Sequence, residues 1–401
     1  MKKIKFYDAL VLLLIIYMYS TFFYKLLPIV NSILGVLFIF IVFCIYLSDL
    51  RKRDLLIIFP IIYYIFISLI NGDNFDYFFE HTIHLVSTIL FIWKLTSIDI
   101  TEKLYLSMKK YKKPMQFSLI IISLINMILL ISKKFMIINT GTLVFSGLSN
   151  GSHTIASISC LAIIILIVLN TNQKMSKLSL ISLIMYILII FESGSRIYLL
   201  VLISMLYTFY IEKIKTIKHY KLYTLLLIMI ISFAIYDSNM IDRFISTANN
   251  KYISENKLES FSSGRLIWWK YDINDFKTLN LTNKIFGKGN HYVFELNYRS
   301  YGLNIWAHND FIQILISYGL IGLLFYLIIF GRALLNFYDK KNILYSLVIF
   351  LTMIGIATLN GFYTQQHMVF CILLMISLQK NGISKKLIQK EYSYRKEGKE
   401  N

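Results

Sequence analysis

Apolar runs long enough to cross a bilayer recur along this chain, at roughly 7–27, 29–48, 55–70, 83–97, 117–131, 151–169, 178–191, 197–211, 222–236, 311–330, 343–359 and 367–378. A hydrocarbon core about 30 Å thick takes about 20 helical residues. A helix that is apolar all round must sit inside a large core or a membrane, and a soluble domain of this size cannot bury so many. Hydrophobic residues make up 57% of the 401 positions and charged residues only 16%, against about a quarter charged in soluble domains. The pattern predicts an all-α polytopic membrane protein with about twelve transmembrane helices, one integral membrane domain over 1–401.

The net charge of +19 raises the question of a polyanionic partner, and its distribution answers it. With the N-terminus inside, the inward segments carry 27 Lys/Arg against 10 Asp/Glu, and the outward ones 13 against 12. Nearly all the excess is therefore cytoplasmic, as the positive-inside rule requires. Basicity reports topology here, with both termini cytoplasmic and a basic tail over 379–401, and no nucleic acid is expected. The runs Arg51-Lys52-Arg53, Lys109-Lys110 and Lys112-Lys113 belong to that signal, with weak attraction to anionic lipid heads. Lys94 lies within a span and can snorkel. The N-terminal run lacks a small-residue cleavage site and reads as the first span. Cys44, Cys160 and Cys371 fall in separate spans with no metal-ligand spacing, so neither a disulfide nor a metal site is expected.

One segment breaks the rhythm. Residues 237–310 contain no spanning run and read as one large extracytoplasmic loop between spans nine and ten; long loops of this kind tend to be functional. Apolar residues at helical spacing predict a helix over 241–253. A second helix is predicted from Gly264 to Phe276 after the N-cap candidates Ser262-Ser263, with Leu266, Trp269, Ile273 and Phe276 on one face. Trp268 and Trp269 suit the headgroup level.

Several residues could carry chemistry. Continuing the tenth span's helix back to His308, at about 100° per residue, puts Gly319 and Gly322 near the same stripe, where a second helix could approach. His308 is then a titratable group at the boundary, or a surface histidine capping a packing face. Arg265 could grip a phosphate bidentately, or pair with Asp272. Arg196, in the short connection Glu192-Ser193-Gly194-Ser195-Arg196, opposes the positive-inside bias and needs compensation, from a ligand or from Glu192. The acidic loop 71–82 (Asp73, Asp76, Glu80, His81) could supply a base or orient a sugar, or be solvated charge. Gly287-Lys288-Gly289 reads as a tight turn or a place of close backbone approach. His153 and His367 begin spans.

At these residues the chain resembles the O-antigen ligase and polymerase family, from about Gly141 to Leu378. Phe145-Ser146-Gly147 with Asn150 and Ala156 looks like the family's outer loop entering a span, and Glu192 to Arg196 like its short Arg-bearing connection. Gly264-Arg265 through Trp269 to Gly289 looks like its large-loop core. His308-Asn309, then Gly319 and Gly322, match its His-Asn…Gly-x-x-Gly signature. The resemblance implies a metal-independent, cofactor-free glycosyltransferase of the bacterial inner or plasma membrane. Its donor is a glycan on polyprenyl pyrophosphate, transferred to an acceptor hydroxyl at the outer face. His308, Arg265 and Arg196 are the implied catalytic residues, with Arg196, Arg265 and Asn309 binding substrate. A polymerase joining lipid-linked repeat units of a capsule or O-antigen is the preferred reading, with a flippase and a chain-length regulator as pathway partners. A ligase acting on lipid A core is the nearest alternative. A lipid-linked oligosaccharide flippase or other transporter is the alternative of another class, but such proteins usually line a path with charges inside the spans, and here Lys94 is almost the only charge at depth.

Overall fold

The computed structural model describes residues 2–48, 52–95, 98–139, 142–171, 175–210, 265–337 and 343–379. The expected span at 222–236, the helix at 241–253, the Ser262-Ser263 cap, the tail from 380 and the side chain of Lys94 lie outside them.

The described chain is mostly helical. The first helices are α1 (Lys2–Phe22), α2 (Pro28–Ser48), α3 (Ile58–Ile70) and the single turn α4 (Phe75–Tyr77). They continue as α5 (His84–Leu95), α6 (Ile98–Lys110), α7 (Lys112–Ile131), α8 (Ser152–Leu169), α9 (Lys177–Glu192) and α10 (Ile197–Phe209). After the undescribed stretch come α11 (Arg265–Thr278), α12 (Leu281–Phe286), α13 (Asn290–Tyr301), α14 (Asp310–Phe337), α15 (Ile343–Leu359) and α16 (Gln366–Gln379). A two-stranded hairpin, β1 (Met136–Asn139) with β2 (Thr142–Phe145), departs from the all-helical expectation. It precedes the loop into α8.

Among the described residues, three helical stretches are long and apolar enough to cross a membrane: Lys112–Ile131, Ser152–Leu169 and Asp310–Ala333. Shorter apolar helices include Asp54–Ile70, Ile197–Phe209 and Ile343–Leu359. The run expected at 83–97 is helical through Leu95, entered by a π-helical turn at Phe78–Ile83.

The centre is α8, packed by α1, α7, α9, α10 and α16, with almost every side chain from Ile155 to Leu169 buried. The exterior inverts the soluble pattern. Ile29, Phe59, Phe117, Ile131 and Leu335 are each more than 60% exposed, an apolar surface that water would penalise and lipid would not. Polar contacts join chain ends of like kind. Lys110 pairs with Asp8 at 2.5 Å, and Lys109 donates to the carbonyls of Leu169 and Thr171. At the other end, Lys25 donates to Ser146 Oγ and the Gly147 carbonyl. The free thiols Cys160 and Cys371 are buried and Cys44 is half-buried.

The main departure lies in α14. Gly319 has φ 67° and ψ −170° inside it, a region essentially reserved for glycine, so the helix kinks there. The kink turns the carbonyls of Ile316 and Ser317 outward, where the amides of Lys288 and Gly289 donate to them at 3.0 and 2.9 Å. The partner at Gly319 is thus the C-terminal end of the short helix α12 and the turn that follows it, while α3 approaches Gly322 through Tyr63 and Tyr64. One turn on, Tyr64 Oη donates to the Gly322 carbonyl at 2.6 Å and Tyr63 Oη to that of Tyr318 at 2.8 Å.

Candidate active site

His308 is not part of α14. Its φ is +52°, and the helix begins two residues later, so the stripe expected to join His308 to Gly319 and Gly322 does not exist. A β-carbon in the left-handed region is strained, and neighbours must hold it. Asn309 does so as the helix cap: its Oδ1 accepts from the amides of Phe311 and Ile312 at 3.0 and 3.2 Å. Asn309 is therefore committed through its oxygen to capping, and only its amide nitrogen is left for a ligand.

Asp310 anchors the other side. It is fully buried, and its Oδ2 accepts from Tyr326 Oη at 2.7 Å and from the amides of Phe362 and Tyr363 at 2.8 and 3.2 Å. The turn between α15 and α16 is thereby fastened beneath His308. Gly361 in that turn leaves room for Trp306, whose ring atoms lie within 2.5 Å of where a Cβ would stand. The Trp306 ring in turn sits 4.8 Å from the His308 ring, with Trp268 at 6.2 Å. His308 Nδ1 is buried and has no hydrogen-bond partner among the described residues.

The same turn receives Arg265. The half-buried guanidinium at the start of α11 donates to the Leu359 carbonyl and forms no pair with Asp272. Burial and then the neighbouring Arg196 push its pKa down to about 10, with Tyr198 opposing. Arg196, one residue before α10, is lowered by burial. Burial, then Arg265 and then His153 drive His308 down to about 3. Three side chains from separate segments are therefore within electrostatic reach: Arg196 of Arg265, and Arg265 of His308. Concentrated positive charge of this kind, half-screened from water, is tolerable when an anion completes it.

His308 is thus held far below the ordinary histidine value near 6.5. The unliganded imidazole is neutral throughout the physiological range, so the acidic limb of kcat/KM, which reports the free enzyme, is expected to show no inflection near pH 6.5 from this group. A His308→Gln comparison checks it: an inflection near 6.5 that vanishes in the variant would contradict a histidine held neutral.

Other expectations are redistributed. On α11 the inward face is the buried Asp272 with the partly buried Trp269 and Phe276, while Leu266 and Ile273 are exposed, at 38% and 37%. Trp269 donates from Nε1 to the Ala307 carbonyl at 2.8 Å and packs on Val293, Ala307, Ile312 and Ile316, so it is a protein contact rather than a headgroup anchor. Asp272 is buried with neither oxygen hydrogen-bonded among the described residues; burial and then Asp275 raise it to about 7. In the acidic loop, the Asp73 carboxylate is sealed from solvent and accepts from the amides of Asn290 and His291 at 3.0 and 2.9 Å. It clamps α13 by its N-terminus, where negative charge is favourable, and is neither solvated nor beside His308. Lys288 lies over the Tyr292 ring. His367 stacks on Tyr17, and His153 lies 6.2 Å, ring to ring, from Tyr198.

Residues that the sequence does not single out, together with His81 of the acidic loop, complete the surroundings. Tyr198 Oη donates to Gln365 Oε1 at 2.5 Å, tying the Arg196 end of α10 to the turn that holds Arg265. His81 Nδ1 meets Tyr363 Oη at 3.0 Å. Asp310, next to the His-Asn pair, carried a signal as a carboxylate entering an apolar run, and His81 stood out with its acidic loop; the others are tyrosines and a glutamine with no local pattern.

An apolar helical body whose exterior is itself apolar, with Arg196, Arg265, His308 and tryptophan rings gathered at helix ends, suits a membrane protein. Residues 180–327 match the family model described as O-antigen ligase, a segment that contains Arg196, Arg265, His308, Gly319 and Gly322. The match supports the O-antigen ligase and polymerase family and, with it, a membrane enzyme of glycosyltransferase type. No curated protein matches the chain.

Proposed function

We propose that this protein is a polysaccharide polymerase. It transfers a glycan from a polyprenyl-pyrophosphate donor to a hydroxyl of another lipid-linked repeat unit, at the outer face of a bacterial inner or plasma membrane. The observation that supports the reading is that Arg196, Arg265 and His308, from three segments, lie within electrostatic reach in series, Arg196 of Arg265 and Arg265 of His308. In the transfer, the bond from the anomeric carbon to the diphosphate oxygen breaks and a bond to the acceptor oxygen forms. Negative charge grows on the departing diphosphate, and the two guanidiniums are fixed positive charge aimed at it, which requires no metal. The acceptor proton goes to the neutral imidazole of His308. Its basicity is low first because it is buried and second because Arg265 stands unopposed; the arriving diphosphate offsets the second of these and raises it, so proton uptake is coupled to donor binding. About twelve spans, cytoplasmic termini and an outward 237–310 loop belong to the same proposal and rest on the charge distribution. A flippase would deliver the substrate, and a chain-length regulator would act on the growing product.

Purified protein supplied with a defined lipid-linked repeat unit tests the reading. The expected result is a ladder of integral multiples of that unit, with release of polyprenyl pyrophosphate, undiminished by EDTA. A single transfer to lipid A core, with no ladder, would identify a ligase. Movement of the lipid-linked unit across a vesicle without new glycosidic bonds would identify a flippase.

A further inference from the structure

A diphosphate presents more oxygens than two side chains need satisfy, and a second donor group stands beside the cluster. It is the N-terminus of α8. An 18-residue helix carries roughly half a positive charge at that end, and its first amides have no partner within the helix. The residue before it, Gly151, supplies no side-chain cap. The first helical residue, Ser152, is only 2% exposed, and its Oγ is buried with no hydrogen-bond partner among the described residues. Helical Cα–Cβ bonds tilt toward the N-terminus, so this hydroxyl stands at the mouth of the helix. Buried hydroxyls are nearly always bonded, and an unbonded one calls for an occupant.

The neighbouring polar groups are already spent. Ser149 Oγ donates to the carbonyls of Ser146 and Gly151, and the Lys25 ammonium is bound to Ser146 and Gly147. They hold the loop that enters α8 and leave Ser152 uncommitted. The position is right as well. His153, the next residue, lies 6.2 Å from the Tyr198 ring and within electrostatic reach of His308. Tyr198 is in turn within reach of Arg265, and Arg265 of Arg196.

We infer that the N-terminus of α8, with the Ser152 hydroxyl, is an anion cradle that takes one phosphate of a diphosphate whose remaining charge is gripped by Arg196 and Arg265. The inference rests on the proposed glycosyl transfer and specifies how its donor is held. Helix N-termini bind phosphate through just these amides and the dipole, and Ser152 adds one directed donor.

Binding of inorganic pyrophosphate and of polyprenyl pyrophosphate to the purified full chain in detergent tests it. Ser152→Ala is expected to weaken both probes about tenfold, the worth of one hydrogen bond to a charged oxygen. Its unliganded thermal midpoint should be unchanged or higher, because a buried unbonded hydroxyl has been removed. Ser152→Thr, which keeps the hydroxyl, should restore affinity to within about twofold. A merely structural serine would move the midpoint and not the ligand-induced shift. If Ser152→Ala binds both probes like the wild type while Arg196→Ala and Arg265→Ala lose them, the cradle is wrong and the glycosyl-transfer reading stands. If the arginine variants also bind normally, or the wild type binds neither probe, both fall. Weakening for inorganic pyrophosphate alone would mark a free-anion site and overturn the assignment to a lipid-borne diphosphate.

Discussion

Arg265→Ala is expected to lower polymer formation about 10²–10³-fold, the usual effect of deleting one preorganised group that stabilises developing negative charge. The variant should nevertheless fold. Arg265 has one hydrogen bond to the Leu359 carbonyl and is opposed by its burial and by the charge of Arg196, so removing it relieves repulsion in the empty protein. Activity should fall while the thermal midpoint holds or rises, the signature of a strained functional site. Loss of the charge should also let His308 titrate closer to its ordinary range. Arg265→Lys should recover part of the rate, since charge returns but the planar fork does not. Turnover of a defined lipid-linked repeat unit, measured beside thermal unfolding in detergent, decides it. Normal polymer at normal protein levels in the Ala variant would remove Arg265 from the reaction.

Gly319→Ala is expected to be among the most damaging single-methyl changes in the fold. A Cβ there would lie 2.2 Å from the Ile285 carbonyl oxygen and 2.7 Å from the Gly287 amide nitrogen. Both are backbone atoms and cannot swing aside. The dihedral pair is itself costly for any residue with a Cβ, and the overlap adds an overpacking penalty. Together they amount to about 2–6 kcal/mol, a large part of the stability of an ordinary domain. Folded yield by size-exclusion chromatography should collapse. Gly302→Ala is the control: its φ is 68°, but nothing lies within 4 Å of the added methyl, so it should cost only about 1 kcal/mol. Equal yields from the two variants would mean that the kinked helix does not need its contact with the 285–289 turn.

Both predictions concern places where the chain leaves regular helix, and there the sequence argument reached its limit. The signature His308-Asn309…Gly319-x-x-Gly322 is visible in the amino acids, but the geometry drawn from it was wrong. Helical arithmetic assumes an unbroken 3.6-residue period, and this segment breaks it twice, at the left-handed His308 and at Gly319. The stripe on α11 failed for a related reason. Spacing identified the helix, but which face is buried was decided by α13 and α14, and they chose the face that includes a carboxylate.

What the sequence determined alone is what depends on local composition: an apolar, helical, membrane-suited chain, and the residues Arg196, Arg265 and His308 as charges out of keeping with their surroundings. What the tertiary structure decided is which of these meet and what holds them. Arg265 reaches a carbonyl 94 residues away, Tyr198 a glutamine 167 residues away, and His81 a tyrosine 282 residues away. Periodicity reports only which side of a helix prefers to avoid water. It has no term for pairing across such separations, because those contacts arise only once whole helices have packed.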